Sequence, residues 1–374
     1  MDNNLLVVGA TGLLGRAVLK HFRTKSDWHC IGLSRRSPNL SKIMHLKSDL
    51  MDKSSLDRHY AILKNVTHVV YGALYEMEDL ISGWRHKQQI QYNTIMFQNL
   101  MSFLVEVAPN LSHVSLLQGT KAYGIHVEPM KAPAKESWPR HQHENFYWCQ
   151  EDILKKLQQD GGWSFNIWRP QVVFGSAIGS PMNLVAALAA YATICRELEI
   201  PCCYPGGDHP IVTEATDAHL FAEALEWAFR ETKAQNHTYN ITNGDVLIWP
   251  HLWPMVCEYF QVAVGEPTEN ILSESMPKME RVWSGITEKY NLDKLTLKEL
   301  VGGSWQFLDR AMRPGGKPAP PSLVSTIKIR QAGFNNVIST VQSLRRCFAE
   351  MRDCLLYTSP SPRDRTRSRM PSSA

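Results

Sequence analysis

The 374 residues exceed the usual single domain, and 44% hydrophobic with 20% charged residues is the composition of an ordinary soluble globular protein. No window approaches the ~20 uncharged apolar residues of a membrane span, and residues 1–15 lack a basic segment followed by a signal-peptide core, so a cytoplasmic protein is expected. The formal charge of +4 comes mostly from Arg363, Arg365, Arg367 and Arg369 near the C-terminus; without them and Asp364 it falls to about +1, which implies neither a nucleic acid nor a membrane as partner.

The chain opens on the apolar run Leu5-Leu-Val-Val8, followed at once by Gly9-Ala-Thr11-Gly12-Leu13-Leu14-Gly15 and a helix-like segment from Arg16 to Phe22. Strand, glycine turn and helix in that order are the context of a dinucleotide-binding motif. Gly9 permits the tight turn, Gly12 lets backbone N–H groups approach a pyrophosphate at the helix start, and Gly15 lets helix and strand pack closely. The G-x-x-G-x-x-G spacing resembles the short-chain dehydrogenase/reductase superfamily.

A second strand, His29 to Leu33, ends in Ser34-Arg35-Arg36, about twenty residues past the glycine turn, where an NAD enzyme carries an acid for the ribose hydroxyls. Two arginines there suit a 2′-phosphate, because guanidinium groups bind phosphate through forked hydrogen bonds, so NADP(H) is expected over NAD(H). A third strand near Met44 to Lys47 leads to Asp49-Leu50, and a fourth, Thr67 to Tyr71, leads to Gly72-Ala73; both ends are expected beside the cofactor. The stretch Lys87 to Val107 predicts a helix, and its stripe of Asn93, Met96, Phe97, Leu100, Phe103 and Leu104 reads as core.

The fifth strand, Ser112 to Leu117, runs into Gln118-Gly-Thr-Lys121-Ala-Tyr123-Gly124. A lysine at the C-terminal end of a strand faces the crevice where open α/β sheets bind ligands. The loop that follows contains Pro129 to Pro139 and the pair His141 and His143, which lacks further ligand types at metal-binding spacing, so no metal is expected. Next comes Asn145-Phe146-Tyr147-Trp148-Cys-Gln-Glu151-Asp152, which places Tyr147 near the start of an amphipathic helix. A free phenol titrates near ~10 and needs a nearby cation to act as an acid at neutral pH. The usual helper in tyrosine-dependent oxidoreductases is a lysine one helical turn on, and that position is Glu151. Either Tyr147 is ordinary core or its cation comes from elsewhere, and Lys121 is the candidate. The cysteines form no C-x-x-C, and the adjacent Cys202 and Cys203 read as reduced thiols.

Asn145-Phe-Tyr-Trp-x-x-Glu151-Asp152, Gly119-Thr-Lys121-x-Tyr123 and Trp168-Arg-Pro170-x-x-Val173-Phe-Gly175 together resemble the progesterone 5β-reductase/iridoid synthase family, an atypical branch of the extended short-chain dehydrogenases. The likeness continues through Ser180-Pro-Met182-Asn183 and the segment from Tyr239 to Trp253, and covers about residues 5 to 350. It implies a Rossmann-type doubly wound parallel sheet, an α/β fold, with a smaller, mainly helical C-terminal substrate lobe. It also implies that Lys121 and Tyr147 are the catalytic pair. Where the family commonly has a second tyrosine this chain has Trp148, which leaves Tyr147 as the only phenol of the motif. Ala73-Leu74-Tyr75 stands where the plant steroid reductases have Thr-Trp.

The implied activity is NADPH-dependent reduction of a C=C bond conjugated to a carbonyl, on a small hydrophobic enone or aldehyde. The rivals are 1,2-carbonyl or alcohol chemistry, and a non-catalytic NADPH-sensing protein. Lys121 would hold positive charge, orient the cofactor ribose or favour a tyrosinate-like Tyr147; these roles stay open, as does a homodimer. Cofactor contacts are expected from Gly9, Thr11, Gly12, Leu13, Leu14, Gly15, Ser34, Arg35, Arg36, Asp49, Leu50, Ala73, Gln118, Val173, Ser180 and Met182. The substrate pocket is expected to use Tyr75, Tyr123, Phe146, Asn183 and Phe334, with an apolar helix from Met182 to Tyr191 over the nicotinamide. Pro201 to Pro210 reads as a loop, and Ile211 to Arg230 as a return to the main sheet and its helix. Residues 1–175, rejoined by 209–244, form the expected NADP-binding domain, and 176–208 with 245–353 the substrate lobe. Residues 354–374 begin Cys-Leu-Leu-Tyr-Thr-Ser-Pro-Ser-Pro-Arg-Asp, which back-translates to a transposase sequencing adapter, and are expected to be a disordered scar.

Overall fold

The structure is a computed structural model that describes residues 3–354; the adapter-like tail, apart from its first residue, lies outside the described residues. Among the described residues eleven strands occur in chain order: β1 Asn3–Val8, β2 Trp28–Ser34, β3 Met44–Lys47, β4 His68–Tyr71, β5 His113–Leu117, β6 Ser164–Pro170, β7 Val172–Phe174, β8 Cys202–Cys203, β9 Ala215–Asp217, β10 His237–Ile241 and β11 Val264–Gly265. Seven of them form one parallel sheet in the order β10-β6-β5-β4-β1-β2-β3. The order reverses at β1 and β4, and a doubly wound sheet opens its ligand crevice at the C-terminal ends of such a pair.

Alternation along the strands builds two apolar layers. Leu6 and Val8 face one side, packed with Phe97, Leu100 and Leu104 of the helix Lys87–Val107 and with Leu154 of the helix Phe146–Gln159. Leu5 and Val7 face the other, against the helices Leu13–Phe22 and Ala218–Arg230. A strand covered on both faces must be apolar at every position, as Leu5 to Val8 are.

A third core belongs to the helical C-terminal region. Its centre is the helix Leu184–Glu197, buried at every position from Leu184 to Cys195. The helices Trp249–Phe260, Ser304–Met312 and Thr340–Asp353 contribute Trp253, Trp305 and Phe348 to the same core. The apolar helix after Met182, expected over the nicotinamide with a place in the core compatible with that, is the hub of the C-terminal core, and of its expected span only Met182 lines the crevice. A run such as Leu184 to Tyr191 carries the same apolar pattern in either place.

Two smaller corrections concern the chain after residue 200. Within Pro201 to Pro210, β8 pairs with β11. Strand β9 pairs with β7, apart from the main sheet, so of this stretch only the helix Ala218–Arg230 packs on that sheet, which the chain re-enters at β10. All eight cysteines are free thiols.

The glycine turn holds the crevice open. Gly9 has φ of 85°, and a Cβ on it would lie 2.7 Å from the backbone N of Ala73. A Cβ on Gly15 would lie 2.3 Å from the carbonyl oxygen of Gly9, so the helix Leu13–Phe22 reaches the turn only because Gly15 has no side chain. Gly15→Ala must push backbone against backbone, and a loss of about 1–3 kcal/mol of stability is expected. Urea denaturation measures it, and an unshifted midpoint would contradict the close packing.

Candidate active site

A cavity of about 1630 Å³ runs from Arg35 and Arg36 past the glycine turn to Lys121 and Tyr147. Its wall brings together Gly9, Thr11, Gly12, Leu13, Leu14, Gly15, Ser34, Asp49, Leu50, Ala73, Gln118, Val173, Ser180 and Met182, with Tyr75 and Phe146 at the far end. The first turn of the helix Leu13–Phe22 has neither an acidic residue nor a side-chain cap, so its N–H groups are free for an anion. Arg35 and Arg36 are exposed at the end of β2, and the Ser34 hydroxyl donates to the carbonyl of Arg36 at 2.6 Å. A narrow glycine cradle, a free helix start and two arginines lining the same cavity fit a 2′-phosphorylated dinucleotide.

The tyrosine and the lysine come from different elements and are joined by one amide. Asn145 caps the helix Phe146–Gln159: its Oδ1 accepts from the Tyr147 N–H at 3.0 Å, and its Nδ2 donates to the carbonyl of Lys121 at 3.1 Å. Gln118 adds a second tie, with its Nε2 donating to the Tyr147 carbonyl at 3.1 Å and its Oε1 accepting from Arg169 Nε at 3.1 Å. The Tyr147 hydroxyl ends beside Gly119, where a Cβ would lie 3.6 Å from it. No described residue hydrogen-bonds that hydroxyl. Burial holds the phenol well above its ordinary range; the Glu76 carboxylate adds to the effect and Arg169 opposes it.

Lys121 lies on the short helical turn Thr120–Tyr123, with its side chain 12% exposed. Its Nζ sits 3.6 Å from Glu76 Oε1 and 4.3 Å from the centroid of the Trp84 ring. Neither Nζ nor that carboxylate oxygen makes a hydrogen bond. Burial lowers the lysine, Glu76 raises it again, and Arg310 lowers it further. Arg310 lies over the same indole, at 5.4 Å.

Glu151, where the helper lysine was sought, points away from the cavity. It pairs with Lys155 at 2.7 Å, Arg140 at 3.1 Å and Arg169 at 3.6 Å, and these cations hold it below the usual carboxylate range although burial acts in the opposite direction.

Three expected pocket residues lie elsewhere. The Tyr123 hydroxyl donates to Asn240 Oδ1 at 2.6 Å, which spends the side chain on anchoring the loop against β10. Asn183 is the fully buried cap of the helix Leu184–Glu197, with Oδ1 accepting from the Ala186 N–H and Nδ2 donating to the Ala177 carbonyl. Phe334 packs at 5.6 Å from Trp227 in the core behind β10. All three are polar or aromatic residues near the crevice in sequence whose side chains the fold uses for support. His141 and His143 hydrogen-bond each other, and His141 also meets Glu128; among the described residues no three potential ligands converge on a metal position.

Sequence reading missed Glu76, Trp84 and Arg310 because they lie in segments with no motif. Asn145 did carry a signal, an asparagine directly before a periodic apolar run.

A family model for the PRISE-like Rossmann-fold domain matches residues 42–303. The chain is 31% identical to an (S)-8-oxocitronellyl enol synthase from Catharanthus roseus over 369 residues, covering 93% of this chain and 90% of that one. It is 32% identical to a 3-oxo-Δ(4,5)-steroid 5-β-reductase from Arabidopsis thaliana over 327 residues, 81% of each. Among solved structures it is similar to UDP-glucose 4-epimerases from Thermotoga maritima (TM-score 0.65, 14% identity, 94% and 99% of the two chains) and Thermus thermophilus (0.64, 16%, 93% and 99%), a likeness of fold.

Asn145→Ala removes both the helix cap and the tie to the lysine turn, and a loss of at least about 1 kcal/mol is expected. Asn145→Asp keeps the acceptor but not the donor, so in denaturant titrations it should recover the cap alone. Equal stability of wild type and Asn145→Ala would remove the bridge from the account.

Proposed function

The chain belongs to the PRISE-like Rossmann-fold family, and we propose that it is an NADPH-dependent reductase of C=C bonds conjugated to a carbonyl. The observation that carries this reading is the unpartnered Tyr147 hydroxyl in a cavity shared with the glycine turn. The printed name of the Arabidopsis relative, a 3-oxo-Δ(4,5)-steroid 5-β-reductase, describes reduction of an enone and supports it.

NADPH supplies the hydride when bound. Arg35 and Arg36 would hold its 2′-phosphate, and the turn from Gly9 to Gly15 would receive the pyrophosphate on backbone N–H groups. With hydride reaching the β-carbon, negative charge grows on the carbonyl oxygen, and the Tyr147 O–H donates to it. A donor fixed in a dry pocket needs no reorganisation as that charge appears. The α-carbon can take its proton from solvent, so Tyr147 need not give up its own. Lys121 supplies positive charge close by. Alcohol oxidation would instead need Tyr147 as a base, and burial with Glu76 nearby disfavours the tyrosinate. Leu74, Tyr75, Met77, Trp84, Phe146 and Phe307 offer the substrate a mostly apolar wall, suited to a small hydrophobic enone or aldehyde.

Tyr147→Phe should lower kcat on an enone on the order of a hundredfold, the usual cost of one such donor; a near wild-type rate would refute the role. Product identity separates the reading from its rival, since a saturated carbonyl compound supports it and an allylic alcohol indicates 1,2-reduction. Replacing Arg35 and Arg36 by alanine should raise KM for NADPH at least about tenfold, the loss of one or two charge-assisted hydrogen bonds, and leave KM for NADH nearly unchanged. Equal preference for the two cofactors in the wild type would remove the 2′-phosphate assignment.

A further inference from the structure

We propose that Glu76 is a positioning residue of this site: its buried carboxylate holds the Lys121 ammonium in place and keeps it charged in the cavity that Tyr147 also lines. The proposal rests on the reductase reading for its consequence and on geometry for its substance.

Glu76 follows β4 in the loop Leu74–Met77, which the helix Lys87–Val107 clamps with two buried amides. Asn93 bonds both backbone groups of Tyr75, accepting from its N–H at 2.8 Å and donating to its carbonyl at 2.9 Å. Gln89 accepts from the Met77 N–H at 3.0 Å through Oε1 and donates to Glu76 Oε2 through Nε2. Both amides are fully buried. One carboxylate oxygen is thus fixed from behind, and the other points at Lys121 Nζ, 3.6 Å away. The Glu76 side chain is 5% exposed, and both residues line the cavity. A buried carboxylate with one oxygen unbonded, facing a buried ammonium with no hydrogen bond, is costly unless the two are there for each other.

The other groups that face Lys121 do not replace it. From the segment after the helix Leu80–Gly83, Trp84 offers only its ring face. From the helix Ser304–Met312, Arg310 adds a like charge. His126 is pushed down to about 3 by burial and by the cations around it, so it is neutral near pH 7. Tyr147 is a phenol held above its ordinary range. Burial raises the Glu76 carboxyl toward neutrality, and Lys121, Gln89 and Trp84 oppose that, so carboxylate and ammonium sustain each other; Glu76 is the carboxylate that faces Lys121 against burial and Arg310. A lysine whose charge is sustained by a carboxylate deprotonates at lower pH once that carboxylate is made neutral.

The test is the titration of Lys121 itself, read by competitive acylation at a series of pH values and mass spectrometry of the Lys121 peptide, in the full chain without cofactor. Glu76→Gln should move that titration to lower pH by about 1–3 units, the usual effect of an opposite charge at this range. The alkaline limb of kcat/KM should move with it, whereas a purely structural role would lower the rate at every pH and leave both titrations in place. Glu76→Asp keeps the charge and withdraws it by one methylene, so it should show a smaller shift in the same direction. An unmoved Lys121 titration in folded Glu76→Gln overturns the proposal. If that variant does not fold, an unmoved titration in Glu76→Asp does so. If the wild type reduces no enone, the reductase reading falls, and the acylation result still decides the role of Glu76.

Discussion

The site depends first on an asparagine amide, with Gln118, from the loop that carries Lys121, as a second tie. Asn145 spends its acceptor on the N–H of Tyr147 and its donor on the carbonyl of Lys121, 24 residues away in sequence. A tyrosine and lysine one turn apart on a helix are registered by the helix itself. Here the two sit on different elements, and without a tie each would follow the motions of its own loop. The cap is worth only about 1 kcal/mol as a helix terminator. Its larger effect is geometric, because it converts two independent segments into one rigid corner where β5 meets the octapeptide helix.

Glu151 shows why the lysine had to come from another loop. One helical turn past Tyr147, the side chain is directed at Arg169 of β6 and at Arg140, away from the cavity. A lysine there would join Arg169, Arg140 and Lys155 as a like charge, with Asp152 already engaged by Arg140. The glutamate instead makes the helix a partner of the sheet, and Gln118 links the same arginine to the Tyr147 carbonyl. Only Glu151 and Arg169 of this network are buried; breaking that pair leaves an uncompensated buried charge, at a cost of about 3–5 kcal/mol, whereas the exposed Arg140 and Lys155 contribute little. The octapeptide thus serves two functions, one face presenting the phenol and the other bolting the helix down.

Much of the sheet was legible in the sequence because its physics is local. Leu5 to Val8 must be apolar throughout to be covered on both faces, and the glycines that follow mark where backbone and helix crowd together. The positions of Gly9 to Gly15, Lys121 and Tyr147 around one cavity follow from strand order, which such patterns fix. What sequence could not show is the direction in which a side chain is used. Tyr123, Asn183 and Phe334 stand near the crevice along the chain, yet each completes a hydrogen bond or a ring contact on the far side of its element. The run after Met182 reads equally as lid or core, because apolar periodicity records burial and not what does the burying. Asn93 and Gln89 were hidden in a stripe that is otherwise core, and Glu76 is a lone acid in a loop, with no period or spacing to mark it.

Burial acts on the three polar groups of the site in one sense, toward neutrality: it raises Tyr147 and Glu76 and lowers Lys121. For Tyr147 that tendency is useful, since a phenol that keeps its proton is a hydrogen-bond donor at every physiological pH. For Lys121 it is harmful, since a neutral amine supplies no field to a developing oxyanion. Glu76 resolves the conflict because its charge acts on the two in opposite directions, sustaining the ammonium while further discouraging the tyrosinate. A substrate that displaces water from the cavity deepens the desolvation of all three, and the attraction between Glu76 and Lys121 strengthens as the surroundings become less polar. The pair therefore stays charged in a full pocket only as far as that attraction offsets the added desolvation, so the 3.6 Å between Glu76 and Lys121 decides whether a cation stands near the growing negative charge on the substrate oxygen.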